Sequence, residues 1–129
     1  MAQTILVADD DPLTHRVLQR YLERAGYRML SAANGREALK IAKREPPQLI
    51  ILDVLMPEMD GLTALRHLKR SKVTKEIPVI VLTIATELVS KKELETPEAT
   101  LFLVKPISAT QLLTAIKRLI PDQSPRKKA

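Results

Sequence analysis

Short apolar runs alternate with amphipathic stretches along most of the chain. The apolar runs predict strands at residues 4–8, 49–52, 79–82 and 101–104, and a short, more polar stretch predicts another strand at residues 28–32. The runs at 49–52 and 79–82 are apolar at every position, which is typical of parallel strands covered on both faces. In the intervening stretches apolar residues recur every three or four positions, which predicts helices at residues 12–25, 36–44, 62–68, 87–95 and 108–120.

The helix boundaries carry the expected capping residues. Asp11 precedes Pro12, a carboxylate N-cap followed by proline at the first helical position. Gly26 and Ser108 mark the end of the first helix and the start of the last. Alternating strands and helices predict an open parallel sheet with helices on both faces. We expect one domain over residues 1–120, followed by a basic, disordered tail at residues 121–129.

The composition is that of an ordinary globular protein, with 45% hydrophobic and 28% charged residues in a chain of 129. No apolar run reaches the ~18 residues that a membrane-spanning helix needs. The first residues do not resemble a secretory signal, and the absence of cysteine excludes disulfides and thiolate zinc sites. These features favour a cytoplasmic domain without a membrane partner.

The net charge of +6 is unevenly distributed along the chain. Six of the fifteen acidic residues fall in or beside two short segments: Asp9, Asp10, Asp11, Asp53, Glu58 and Asp60. The sequence therefore predicts a basic surface around a small acidic centre. Such a surface binds nucleic acid or anionic lipid in some proteins, but it is more often only solvated.

Polar residues follow or end four of the five predicted strands: the three central strands and the last strand in the chain. Asp9 and Asp10 follow the first strand, Asp53 the third, Thr83 the fourth and Lys105 the fifth. In a parallel sheet these ends meet at one edge, where ligands bind. Clustered carboxylates repel one another unless a cation neutralises them, and oxygen ligands without His or Cys favour Mg²⁺. The pattern predicts an activated carboxylate beside a metal ion, with Lys105 and Thr83 able to contact a phosphoryl group.

Simpler roles explain some of the other polar residues. Asp11 before Pro12 and Asp60 before Gly61 are expected to cap helices. Asp53 fits that role poorly, because it directly follows an apolar run where an unpaired acid is costly. The two histidines, His15 and His67, are predicted to be solvated on helix surfaces.

Four segments together resemble the receiver domain of response regulators, the family of the chemotaxis response regulator. They are residues 5–12 (ILVADDDP), 52–61 (LDVLMPEMDG), 81–83 (VLT) and 103–106 (LVKP). The order and separation of all four make the resemblance specific, and it covers roughly residues 4–119. It implies a flavodoxin-like (βα)5 fold, a doubly wound five-stranded parallel sheet with strand order 2-1-3-4-5.

The resemblance also implies a role for each matching residue of the site. Asp53 is the expected phosphoacceptor. Mg²⁺ is the expected cofactor, with ligands from Asp9, Asp10, Asp53 and the backbone carbonyl of Leu55. Contacts to the phosphoryl group are expected from Thr83, the backbone N–H of Ile84, and Lys105. Thr83 and Phe102 are the expected switch residues, and the bond to Pro106 is expected to be cis.

The function implied is that of a signalling switch, not of an enzyme. The expected phosphodonor is a sensor histidine kinase or a histidine phosphotransfer protein. The expected output is a downstream protein or a fused output domain, reached through the surface of the fourth helix, fifth strand and fifth helix. That surface is also the one through which receivers dimerise.

Three departures from the family pattern keep alternatives open. Ile84 follows the switch threonine, where the family usually has a small residue, and its bulk is expected to narrow access to Asp53. Pro97 is expected to shorten the fourth helix. Leu55 and Ala85 are apolar, which favours a long-lived phosphoryl group. One alternative is therefore an adaptor that keeps the fold and works without phosphorylation. A second, less favoured, is electrostatic binding of nucleic acid, since the chain has only Tyr21, Tyr27 and Phe102 for stacking on bases.

Overall fold

The computed structural model describes residues 3–54, 56, 58–84 and 101–121. The strands are β1 Thr4–Ala8, β2 Arg28–Ala32, β3 Leu49–Asp53, β4 Val79–Ile84 and β5 Leu101–Lys105. The helices described are α1 Pro12–Arg24, α2 Gly35–Arg44, α3 Gly61–Arg70 and the C-terminal helix Ala109–Leu119. The strands and these helices confirm the predicted pattern. The predicted fourth helix (87–95) and the tail from residue 122 lie outside the described residues.

All five strands form one parallel sheet in the order β2-β1-β3-β4-β5, which confirms the predicted doubly wound fold. Every residue of β3 is buried, because this strand lies in the middle of the sheet and is covered on both faces. One face packs against α2 and α3, and the other packs against α1 and the C-terminal helix. The carboxyl ends of β1, β3, β4 and β5 therefore meet at one edge.

Side-chain caps fix where the helices begin. Asp11 accepts a hydrogen bond from the backbone N–H of Leu13 at 3.0 Å, and Asp60 accepts one from Thr63 at 2.8 Å. Ser108 forms a capping box with Gln111, in which each side chain bonds the other residue's backbone N–H. These contacts confirm the capping roles predicted for Asp11, Asp60 and Ser108.

Among the helices described, none is long and apolar enough to span a membrane.

Candidate functional site

Asp9 and Asp10 lie just beyond β1, where the backbone turns into α1. Asp9 is almost fully buried, with 1% of its surface exposed, whereas Asp10 is exposed. The N–H of Asp9 donates to the carbonyl of Ala32 at 3.1 Å, and its carboxylate Oδ1 accepts from the N–H of Asp11 at 2.8 Å. These bonds hold the Asp9 carboxylate at the edge of the sheet.

Asp53 is the last residue of β3 and is also buried, with 6% of its surface exposed. The start of α3 packs directly behind it. A Cβ atom at Gly61 would overlap the carbonyl oxygen of Asp53, so only glycine allows this approach. Gly61 also donates its N–H to the carbonyl of Val54 at 2.8 Å, and the N–H of Val54 donates to Leu82 of β4 at 3.0 Å. The backbone that follows this carboxylate is thereby fixed.

Lys105, at the end of β5, connects the two buried acids. Its Nζ lies 2.9 Å from Oδ2 of Asp9 and 2.9 Å from Oδ1 of Asp53. Burial by itself lowers the pKa of the Lys105 ammonium, but the hydrogen bonds to Asp53 and Asp9 and their negative charges outweigh it, so the pKa is raised above its usual 10.5. Lys105 is therefore a fixed positive charge between two buried carboxylates.

Thr83 and Phe102 lie on neighbouring strands and on the same face of the sheet. Val81 is paired with Phe102, and Thr83 follows two residues after Val81, so the alternation of side chains places Thr83 and Phe102 on one side. Thr83 is buried, with 1% of its surface exposed, and Phe102 is half-buried against the core beneath α2 and α3. Leu82, the residue before Thr83, is paired with Asp53, which puts Thr83 at the same edge as the acids.

The three acids have the donor set of a hard cation. One carboxylate oxygen from each of Asp9, Asp10 and Asp53 lies within 4.8 Å of the others. A small octahedral ion such as Mg²⁺ takes oxygen ligands, keeps several waters and needs only a few protein carboxylates. The residues present therefore fit Mg²⁺.

The remaining predicted site residues are only partly described. Leu55, expected to supply a backbone carbonyl, lies outside the described residues, as do Ala85 and Pro97. Ile84 is the last residue of β4, so its backbone N–H lies at the edge of the sheet where a contact to the phosphoryl group is expected. The described part of the structure includes its backbone but not its side chain. The peptide bond between Lys105 and Pro106 is cis, the isomer that the resemblance implies.

The prediction for His15 was wrong, whereas His67 is exposed as expected. His15 is half-buried, and its ring Nε2 lies 2.5 Å from the backbone oxygen of Asp9. No periodicity in the sequence marks this contact, since it depends on how the first turn of α1 folds back over the end of β1. Sequence reasoning therefore missed the contact of His15 beside the site.

A shallow apolar groove adjoins the acidic site. Its volume is about 460 Å³, and its walls come from α1 and from the residues after β5: Leu13, Val17, Tyr21, Pro106 and Ile107. Leu13 and Val17 are unusually exposed for large apolar residues, at 61% and 38%. Lys105 also lines the groove, so the groove borders the side chain that bonds both buried carboxylates.

Known proteins are similar to this chain in sequence and in fold. A family model described as the response regulator receiver domain matches residues 5–117. The alkaline phosphatase synthesis transcriptional regulatory protein PhoP of Bacillus subtilis is 35% identical over 120 residues, which cover 93% of this chain and 49% of PhoP. The chain thus spans about half the length of the curated relatives it matches.

Two solved structures extend the comparison. The Vibrio cholerae chemotaxis protein CheY4 is 32% identical with a TM-score of 0.85, over 93% of this chain and 100% of that one. The receiver domain of the sensor histidine kinase PA1611 from Pseudomonas aeruginosa is 26% identical with a TM-score of 0.87, over 95% of this chain and 100% of that one. The PA1611 structure has a magnesium ion coordinated in its active site cleft.

Proposed function

This chain belongs to the family of response regulator receiver domains of two-component systems, and we propose that it is a phosphoacceptor switch in which Asp53 receives the phosphoryl group. The observation that carries the proposal is the position of Lys105, 2.9 Å from both Asp9 and Asp53 in a cluster of three carboxylates. A lysine held there offsets part of the negative charge of the three carboxylates and is already in place to contact a phosphoryl group on Asp53. The Mg²⁺ in the related PA1611 receiver supports the same assignment.

The transfer begins with an oxygen of the Asp53 carboxylate as the nucleophile. An Asp53 oxygen forms a bond to phosphorus, the bond from phosphorus to the donor breaks, and the donor atom keeps the electron pair. Burial of Asp53 and the fixed backbone around it hold the carboxylate in one orientation, which favours an in-line approach. No proton needs to leave Asp53, because the carboxylate attacks in its ionised form.

Lys105 and the metal site stabilise the charge that develops during transfer. Negative charge spreads over the phosphoryl oxygens, and Lys105 presents an ammonium at the position where they arrive. Asp9, Asp10 and Asp53 would hold Mg²⁺, with Leu55 as the further ligand that the resemblance implies. When bound, this ion supplies positive charge to the phosphoryl oxygens.

The acyl phosphate on Asp53 carries a charge of about −2, roughly one negative charge more than the carboxylate that it replaces. Lys105 then faces the phosphoryl group, which is a more highly charged partner than the carboxylate. The hydroxyl of Thr83 and the backbone N–H of Ile84 donate hydrogen bonds to the phosphoryl oxygens. Phe102 shares a face of the sheet with Thr83, so movement of Thr83 changes the space that the aromatic ring fills. The switch therefore acts on β5 and on the helices beside it, where an output protein or fused output domain would bind, or a second copy would pair with it.

Intact mass spectrometry tests the proposal. Purified protein is incubated with acetyl phosphate in Mg²⁺ or in EDTA, and we expect one added phosphoryl group only in Mg²⁺. Asp53→Asn should stay unmodified, while Asp60→Asn serves as the matched control, because asparagine keeps the N-cap of α3. Absence of the added mass from the wild-type protein in Mg²⁺ would favour the adaptor that works without phosphorylation.

We further propose that the phosphodonor is a histidine kinase or histidine phosphotransfer protein that packs into the groove between α1 and the residues after β5. A donor protein that reaches Asp53 must cover the edge of the sheet where the acids lie. Beside that edge, Leu13 and Val17 offer apolar surface that is otherwise exposed to water.

Substitution of Leu13 in the groove distinguishes docking of the donor protein from the phosphoryl transfer step. Leu13→Ala should slow phosphotransfer from a kinase at least fivefold and leave the rate with acetyl phosphate unchanged. Val73→Ala is the matched control, since Val73 is 54% exposed in the connection before β4, at the opposite edge of the sheet. Equal kinase rates for the wild type and Leu13→Ala would place the docking surface elsewhere.

A further inference from the structure

His15 makes an unusual contact with the backbone beside the acidic site. Its ring Nε2 lies 2.5 Å from the backbone oxygen of Asp9, six residues earlier. A carbonyl oxygen only accepts hydrogen bonds, so Nε2 carries the hydrogen in this contact. The other ring nitrogen, Nδ1, is buried and has no hydrogen-bond partner in the described part of the chain. Among the described residues, the hydrogen bond of this ring is therefore made to the peptide group of Asp9.

That peptide group joins Asp9 to Asp10. The carbonyl of Asp9 and the N–H and Cα of Asp10 lie in one plane, so a bond to the carbonyl holds the plane from which the Asp10 side chain starts and restrains where that side chain can reach. The Asp9 carboxylate has its own supports, from the N–H of Asp11 and the ammonium of Lys105. Within the described residues no side-chain bond restrains the Asp10 carboxylate, whose position depends on the backbone alone.

Asp10 also has room to turn away from the other two acids. It borders a cavity of about 420 Å³, which Arg16 and Glu37 line as well. The guanidinium of Arg16 offers a partner to a carboxylate that turns into this cavity, away from Asp9 and Asp53, although the carboxylate of Glu37 opposes part of that attraction. A metal site made of all three acids requires that the Asp9–Asp10 peptide stay in its present orientation.

We propose that His15 is a positioning residue of the metal site, holding the Asp9–Asp10 peptide so that the Asp10 carboxylate faces Asp9 and Asp53. The inference rests on the proposed Mg²⁺-dependent function and adds a residue to its machinery. His15 itself touches neither the metal nor the phosphoryl group. Its effect is on the affinity for Mg²⁺, and the phosphoryl transfer step is unchanged once the metal site is filled.

Two variants of His15 test this role. His15→Leu removes the donor, whereas the amide of His15→Gln places an N–H at a similar reach. For each protein the Mg²⁺ dissociation constant is measured by calorimetry, and the rate with acetyl phosphate is measured as a function of Mg²⁺ concentration. We expect His15→Leu to weaken Mg²⁺ binding about tenfold, at the low end of the range for groups that orient metal ligands. The maximal rate at saturating Mg²⁺ should stay within twofold of the wild type, and His15→Gln should bind Mg²⁺ within threefold of it.

The outcomes separate this inference from the proposed function. Failure of the wild-type protein to bind Mg²⁺ or to become phosphorylated would overturn the proposed function and the inference with it. Wild-type binding together with equal affinity in His15→Leu would overturn the inference alone. Weak binding by both variants, with melting temperatures equal to that of the wild type, would also overturn it, because the donor would then not be the group that matters.

Discussion

Replacement of Lys105 by methionine should strengthen Mg²⁺ binding while slowing phosphorylation. Lys105 shares the carboxylates of Asp9 and Asp53 with the proposed cation, so its positive charge opposes metal binding. The same charge stabilises the phosphoryl group during transfer. One substitution therefore changes the two properties in opposite directions, which a general loss of structure would not do.

The magnitude follows from the distances around Lys105. Its Nζ lies 2.9 Å from an oxygen of each acid, and a Mg²⁺–oxygen distance is about 2.1 Å. A cation on those oxygens is thus within ~5 Å of the ammonium, where charges of +2 and +1 repel by about 1.7 kcal/mol at a dielectric constant of ~80. Salt screening lowers this figure and burial raises it. We expect a dissociation constant about tenfold lower, since ~1.4 kcal/mol is a factor of ten.

Calorimetric titration with Mg²⁺ measures the effect, with the initial rate of phosphorylation by acetyl phosphate as the second readout. Lys72→Met is the matched control, because it removes the same charge from an exposed position before β4, at the opposite edge of the sheet. Mg²⁺ affinity that is unchanged or weaker in Lys105→Met, with Lys72→Met equal to the wild type, would refute the shared use of the carboxylates.

Three further predictions concern stability. Gly61→Ala should lower the free energy of unfolding by about 2–3 kcal/mol in urea and slow phosphorylation, because the added methyl group displaces the backbone of Asp53; an unchanged urea midpoint would contradict this. Ser108→Ala should cost about 1 kcal/mol through loss of the capping box, with phosphorylation intact; a cost near zero would mean that water replaces the cap. The stability difference between the wild type and Lys105→Met should be flat around neutral pH and fall as the pH rises above 10.5, because the raised pKa of Lys105 stabilises the fold only while the ammonium is charged; a difference that instead grows at high pH would contradict it.

The features that the sequence predicts correctly are those set by local pattern. The apolar run at 49–52 becomes the fully buried β3 because burial on both faces requires apolar residues at every position. Asp11, Asp60 and Ser108 cap helices because a cap depends on residues two or three positions away. The parallel arrangement then brings Asp9, Asp53 and Lys105 to one edge, which is why their clustering follows from strand ends alone.

Features set by packing between distant segments escape sequence reasoning. Lys105 bonds Asp9 and Asp53 at once, although Asp53, the nearer in the chain, is more than fifty residues away. The register of β1, β3 and β5 therefore determines whether these bonds form. The ring of His15 contacts the backbone oxygen of Asp9, six residues earlier, a contact that the helical period does not encode. Gly61 is required by contact with Asp53, whereas in the sequence it reads as an ordinary turn glycine.

The most direct test of the central claim is the location of the phosphoryl group. After incubation with acetyl phosphate and Mg²⁺, borohydride reduces an aspartyl phosphate to homoserine, and tandem mass spectrometry of the digested protein identifies the converted residue. We predict conversion at position 53 alone, dependent on Mg²⁺ and reduced in Lys105→Met. Conversion at Asp9, Asp10 or Asp60, or no conversion while the protein remains folded and binds Mg²⁺, would contradict the assignment of Asp53 as the phosphoacceptor.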